Sequence, residues 1–189
     1  MLALSASAQT ASSSEGPRQT GSLFKEFLQR MNFGVHCQYG VGLPNTVTNG
    51  IHEYSDYNRW GIGATWMYNI TSHWSAGIGA TYMPNYSYTW THENAADPQI
   101  IDHDKLSDDD LDAFLRLGYT SDWSAIRPYA YVDFGTCSNS YFVYRYYAAQ
   151  IGIHLTDWLK LGASYSTEAQ FYDHSTDTRA LNFVLSVDF

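Results

Sequence analysis

The stretch Arg179-Ala-Leu-Asn-Phe-Val-Leu-Ser-Val-Asp-Phe189 decides how the rest of the sequence is read. Leu181, Phe183, Leu185, Val187 and Phe189 fall on one face, and Ala180, Asn182, Val184, Ser186 and Asp188 on the other. A period of two specifies a strand. Strands that pack one face on a soluble core also alternate. At least seven earlier stretches repeat the pattern, however, each with Trp, Tyr, Leu or Ile on one face and Gly, Ser, Asn or Thr on the other. Such a polar, small-residue face suits the lumen of a barrel whose outside meets lipid, not the packed interior of a soluble one.

Composition agrees. A chain of 189 residues is by default one domain. It has no run of eighteen apolar residues, hence no expected transmembrane helix. Aromatic residues make up 16% of it, with 16 Tyr and 6 Trp, an excess that fits belts of amphipathic rings at two membrane interfaces. A net charge of -9 disfavours nucleic acid as a partner. Cys37 and Cys137 make no disulfide framework, although one bridge between them is conceivable in an oxidising compartment.

Residues 1–8, Met-Leu-Ala-Leu-Ser-Ala-Ser-Ala, read as the remnant of a signal peptide, with Ala6-Ser7-Ala8 as a small-x-small cleavage site. Residues 9–30 read as a lead, flexible where Ser, Thr, Gly and Pro dominate. Within it, Leu23, Phe24, Phe27, Leu28 and Met31 stand at helical spacing and predict a short amphipathic helix. The barrel is expected over 31–189, with strands near 31–41, 57–70, 74–90, 111–120, 127–136, 141–155, 158–170 and 179–189. Gly61-Ile-Gly-Ala-Thr-Trp-Met67 and Gly77-Ile-Gly-Ala-Thr-Tyr-Met83 nearly repeat each other, and their glycines read as strand residues facing a cramped lumen, not as a phosphate loop. Pro84 cannot donate to a ladder, so it marks a bulge or the exit of its strand from the membrane. Residues 42–56, 91–110 and 171–178 read as loops, the second crowded with Glu93, Asp97, Asp102, Asp104, Asp108, Asp109 and Asp110.

Eight strands make an even count, and the connections alternate. Those after the second, fourth and sixth strands are tight and alike: Thr71-Ser-His-Trp74, Ser121-Asp-Trp123 and Thr156-Asp-Trp158. Short periplasmic turns opposite longer external loops, with both termini periplasmic, is the outer-membrane pattern. It predicts a membrane belt of Trp74, Trp123, Trp158 and Phe189 on one side and of Trp60 and Trp90 on the other.

The terminal Leu185-Ser-Val-Asp-Phe189 resembles the aromatic-ended signal read by the barrel-assembly machinery. With stretches such as Ile151-Gly-Ile-His-Leu-Thr-Asp-Trp-Leu-Lys-Leu-Gly-Ala-Ser-Tyr165, it makes residues 31–189 similar to the small eight-stranded outer-membrane β-barrel proteins of Gram-negative bacteria, the porin-like barrels. The resemblance implies an all-β, antiparallel up-and-down transmembrane barrel. It also implies export to the outer membrane, contact with lipid and lipopolysaccharide, and assembly through the C-terminal strand as a monomer.

An eight-stranded barrel is just wide enough inside to be filled by side chains. Arg59, Arg116, Lys160 and Arg179 are expected to point inward, as are Asp112, Asp133, Glu168 and Asp188. They should pair in a lumen polar network, because an unpaired charge in a dry lumen is costly. That favours a plugged, envelope-stabilising or surface-binding protein over a conductive pore. No cofactor or catalytic motif is evident, and no histidines stand at metal spacing. The acidic 91–110 segment lacks the Gly and terminal Glu of a helix-loop-helix calcium site. Two alternatives stand beside this reading. One is a lipid A-modifying enzyme using His174 and Ser175 with Asp173 and Asp177, since some eight-stranded barrels are acyltransferases or deacylases. The other is a soluble lipocalin-like ligand carrier, against which the orientation of the faces argues.

Overall fold

The computed structural model describes residues 20–43, 51–56, 58–94, 97–123, 126–139, 143–170 and 178–189. The signal remnant expected at 1–8 lies outside them. The predicted helix is present as α1, Thr20–Gln29, with Phe24, Phe27 and Leu28 exposed and an exposed Glu26–Arg30 ion pair one turn apart. It forms a unit separate from Met31–Phe189.

The second unit contains β1 (Met31–Leu43), β2 (Ile51–Asp56), β3 (Asn58–Asn69), β4 (Trp74–Asn94), β5 (Asp97–Thr120), β6 (Pro128–Ser138), β7 (Val143–His154), β8 (Leu159–Gln170) and β9 (Thr178–Asp188). Every neighbouring pair is antiparallel, and β1 pairs with both β3 and β9 while β4 pairs with β5. These contacts close β1 and β3–β9 into an eight-stranded up-and-down barrel. Closure leaves no strand edge in the wall, as a hydrocarbon environment requires. Most of the eight are 11 to 13 residues long, enough to cross a membrane at a tilt.

Pro84 acts as its chemistry dictates. The β4–β5 register runs Met83↔Asp110 and then Tyr86↔Asp108, so Pro84 and Asn85 oppose Asp109 alone. A bulge here takes the residue that cannot donate out of the ladder.

Two sequence expectations are corrected above that bulge. Residues 91–110 are not a loop: β4 continues to Asn94 and β5 starts at Asp97, making one long hairpin. Part of the 42–56 loop is also strand, since β2 pairs with Thr89–Asn94 of β4. The acidic run looked like a loop because carboxylates are poor strand formers. Its partner Tyr86-Ser-Tyr-Thr-Trp-Thr91 is a strong one, and pairing across strands outweighs the propensity of either.

At the other end, two tight turns share one device. Thr71 Oγ1 accepts the backbone N–H groups of His73 and Trp74, and Thr156 Oγ1 those of Trp158 and Leu159. The third connection runs from Thr120 to Pro128, within one residue of the expected strand ends, and is longer than the tight Ser121-Asp-Trp123 turn expected there. The Pro128 carbonyl accepts the Ser121 N–H and closes its base.

Candidate functional site: a charged lumen inside an apolar wall

Alternation sorts the side chains into two surfaces. Trp60, Ile62, Trp66, Ile78, Leu115, Phe134, Ile151 and Phe183 point out and are more than half exposed. Met67, Phe114, Tyr129, Tyr131 and Tyr146 point in with His36, Gln38, Arg59, Asp112, Asp133, Gln150, Lys160 and Glu168, and all are buried. An apolar skin around the whole circumference far exceeds what a protein in water exposes. It is the lipid-facing wall of a transmembrane barrel, and it removes the lipocalin-like alternative, which needs these faces reversed.

Glycine lets the inner layer pack. At Gly79 an added Cβ would stand 2.5 Å from Cε2 of Phe114 and 2.9 Å from Cγ2 of Thr65. The small residue is what admits the Phe114 ring to the lumen.

Charged bridges occupy three levels. Toward the hairpin end, Arg59 Nη1 donates to Glu168 Oε1 at 2.6 Å and its Nη2 to Ser166 Oγ at 3.2 Å. This bridge joins β3 to β8, which are not neighbours in the sheet, so it crosses the lumen. At mid-height Arg116 binds Asp133 through two 2.7 Å bonds, with its guanidinium 4.9 Å from the Phe114 ring centre and 4.8 Å from that of Tyr131. Bidentate geometry and ring stacking are both particular to arginine. Toward the turn end Lys160 Nζ stands 2.7 Å from Asp188 Oδ2 and donates to the Tyr131 hydroxyl at 2.9 Å. Gln150 donates to the Tyr129 hydroxyl nearby.

The lumen residues expected from sequence separate as follows. Arg59 meets Glu168, Arg116 meets Asp133, and Lys160 meets Asp188. Asp112 is fully buried and meets none of these cations; no N–H donor reaches its carboxylate oxygens, and it faces the Cys137 thiol instead. Arg179 stands apart from the lumen: it shares the phase of Leu181 and Phe183, so it lies on the outward side of β9 near its end. Alternation alone gives that phase, and placing Arg179 inside contradicted it.

Trp60 packs on Tyr39 at the hairpin end of the wall, with ring centres 4.8 Å apart. Trp74 meets Tyr119 edge-on and Phe189 lies against Phe33 at the turn end, where Trp123 and Trp158 are also exposed. Trp90 sits in the outer hairpin opposite Asp104, and its side chain lies outside the described residues. Cys37 and Cys137 are both free, the first outward on β1 and the second buried on β6, so the conceivable disulfide is not formed. Asp173, His174, Ser175 and Asp177 lie outside the described residues. Sequence reasoning missed Asp110, hidden inside a supposed loop, and the lumen roles of Tyr129, Tyr131, Phe114 and Tyr146. Their strict alternation with Ala130, Val132 and Phe134, or with Ala113, Leu115 and Tyr147, was the available signal.

The crystal structure of Neisserial surface protein A is similar to this chain at a TM-score of 0.51 and 11% identity, covering 84% of this chain and 97% of that one. The crystal structure of the outer membrane protein OprG from Pseudomonas aeruginosa gives 0.49 and 11%, with 84% and 95% covered. The N-terminal β-barrel domain of OprF from the same organism gives 0.45 and 10%, with 84% and 97% covered. At these identities the similarity concerns the fold. No protein-family model matches the sequence, and no curated protein matches it either. Closed topology, apolar wall and polar lumen define a small eight-stranded transmembrane β-barrel of the outer-membrane class.

Proposed function

We propose that this barrel is a non-enzymatic resident of the bacterial outer membrane that holds an acidic β-hairpin above the surface to bind a positively charged partner. The observation that carries this reading is the length of β4 and β5, 21 and 24 residues against 11 to 13 for most of the other wall strands. The nine residues of β4 from Tyr86 to Asn94 rise roughly 30 Å beyond the bulge at about 3.3 Å per residue. Paired positions share a sheet face, so Tyr86, Trp90 and His92 stand beside Asp108, Asp104 and Asp102. The register thus sets aromatic residue types opposite acidic ones, a composition that offers apolar contact and charge to a basic surface. The lumen supports a stabilising rather than a conducting role, because the Arg59–Glu168 bridge crosses it and aromatic rings fill the levels below. The hydroxyl–imidazole contact of Thr81 with His36 is buried among lumen side chains and closed to a lipid substrate. In this reading the termini are periplasmic, the C-terminal strand is handed over by the barrel-assembly machinery, and lipopolysaccharide surrounds a monomer. The belt of Trp60, Trp74, Trp123, Trp158 and Phe189 then sets its depth, while Trp90, expected in that belt, stands in the hairpin above it.

The test is retention of the barrel, in zwitterionic nanodiscs, on a polylysine-coated surface. A variant with residues 86–108 replaced by a two-residue turn should lose most of the retention and keep its folded mobility on a gel. Equal retention of the two proteins would overturn the role given to the hairpin.

A further inference from the structure

Asp110, Cys137 and Glu168 come from β5, β6 and β8, yet one ligand atom of each lies within 4.8 Å of those of the other two, and all three residues are buried. Asp112, one step further along the inner face of β5, is the direct cross-strand partner of Cys137. It is fully buried, no N–H donor reaches either of its carboxylate oxygens, and the donor it faces is the Cys137 thiol. Arg59 is engaged by Glu168 at 2.6 Å, while Arg116 and Lys160 are engaged by Asp133 and Asp188 lower in the lumen. Among the described lumen residues the carboxylates therefore outnumber the cations, and the excess sits beside a thiol. A buried carboxylate faced by a thiol and by no cation of its own calls for a proton or a cation.

We propose that the hairpin end of the lumen is a binding site for one divalent transition-metal ion of the zinc class. Asp110, Cys137 and Glu168 are its ligands, and Asp112, the cross-strand neighbour of Cys137, supplies the fourth. A sulfur ligand selects zinc, cobalt or cadmium over calcium and magnesium, which prefer oxygen alone. Three donors within 4.8 Å of one another, with Asp112 across the ladder from Cys137, suit the four-coordinate demand of zinc better than the six to eight oxygens of calcium. The outer shell is already built. Arg59 donates to Oε1 of Glu168 and Thr178 to Oε2 at 2.9 Å, so the carboxylate is oriented while each oxygen keeps a lone pair. Binding displaces the Cys137 thiol proton to solvent and forms the metal–sulfur bond, with no change of oxidation state. The site is independent of the role of the hairpin above it.

The experiment is titration of the full chain, folded in detergent, with Co²⁺ alone, followed by Zn²⁺. The expected result is one Co²⁺ per chain, with a thiolate-to-cobalt charge-transfer absorption that Zn²⁺ removes and excess Mg²⁺ or Ca²⁺ does not. Cys137→Ser should abolish the band, Cys37→Ser should leave it, and Asp112→Asn should weaken binding by at least ~10-fold. The gel mobility of each variant before and after boiling reports whether it is folded. A folded wild-type protein with no charge-transfer band overturns the proposal whatever the variants do. So does a band that disappears with Cys37→Ser and survives Cys137→Ser, or one that Ca²⁺ displaces as well as Zn²⁺ does.

Discussion

Arg116 shows how much of this barrel hangs on single lumen residues. Its guanidinium is held by two bonds to Asp133 and between the Phe114 and Tyr131 rings. Removing one partner leaves the other as an uncompensated buried charge, at a cost of about 3–5 kcal/mol. Asp133→Ala should therefore lower the stability of the barrel in lipid vesicles by about that amount in urea unfolding followed by tryptophan fluorescence. The double variant Arg116→Met with Asp133→Leu should recover part of the loss, and a double variant as unstable as the sum of its singles would refute the pairing argument. Gly79 makes the opposite demand, for absence of a side chain. Its missing Cβ is where the Phe114 ring lies, so Gly79→Val should sharply reduce the fraction that folds, while Gly79→Val with Phe114→Ala should restore some of it.

The elements divide into a wall and an extension. The bulge at Pro84 separates the part of β4 whose side chains alternate between lipid and lumen from the part that projects beyond. Every wall strand has two neighbours without the outer hairpin. Trimming residues 86–108 should therefore leave the thermal unfolding temperature of the barrel within a few degrees of the full chain, and a large drop would show that the hairpin braces the wall. The Thr71 and Thr156 turns matter in a smaller way. Each threonine oxygen accepts two backbone N–H groups, and Thr156→Ala should cost on the order of 1 kcal/mol, read from the urea midpoint.

At the scale of the molecule, closure and polarity act together. A closed ladder in detergent resists unfolding until heated, so unboiled protein should migrate differently from boiled protein on a denaturing gel. Absence of any shift, with solubility in plain buffer, would refute the lipid-facing wall. Much of this was legible in residue order. A period of two, repeated with aromatic or aliphatic residues opposite small polar ones, set strands, faces and the inside-out polarity. The even count of strands and the repeated Thr-x-x turns set an up-and-down path, because these signals are local. What lies above Pro84 was not legible, since the acidic segment is strand only by virtue of the aromatic strand it pairs with. The lumen contacts were less legible still. Alternation says that Arg59 and Glu168 both face inward, but they are 109 residues apart and on strands that do not touch. Only the register of eight strands around a closed ring decides which side chains reach the same level. The same closure gathers Asp110, Cys137 and Glu168 from three strands into one place, and nothing in their separate surroundings announces it.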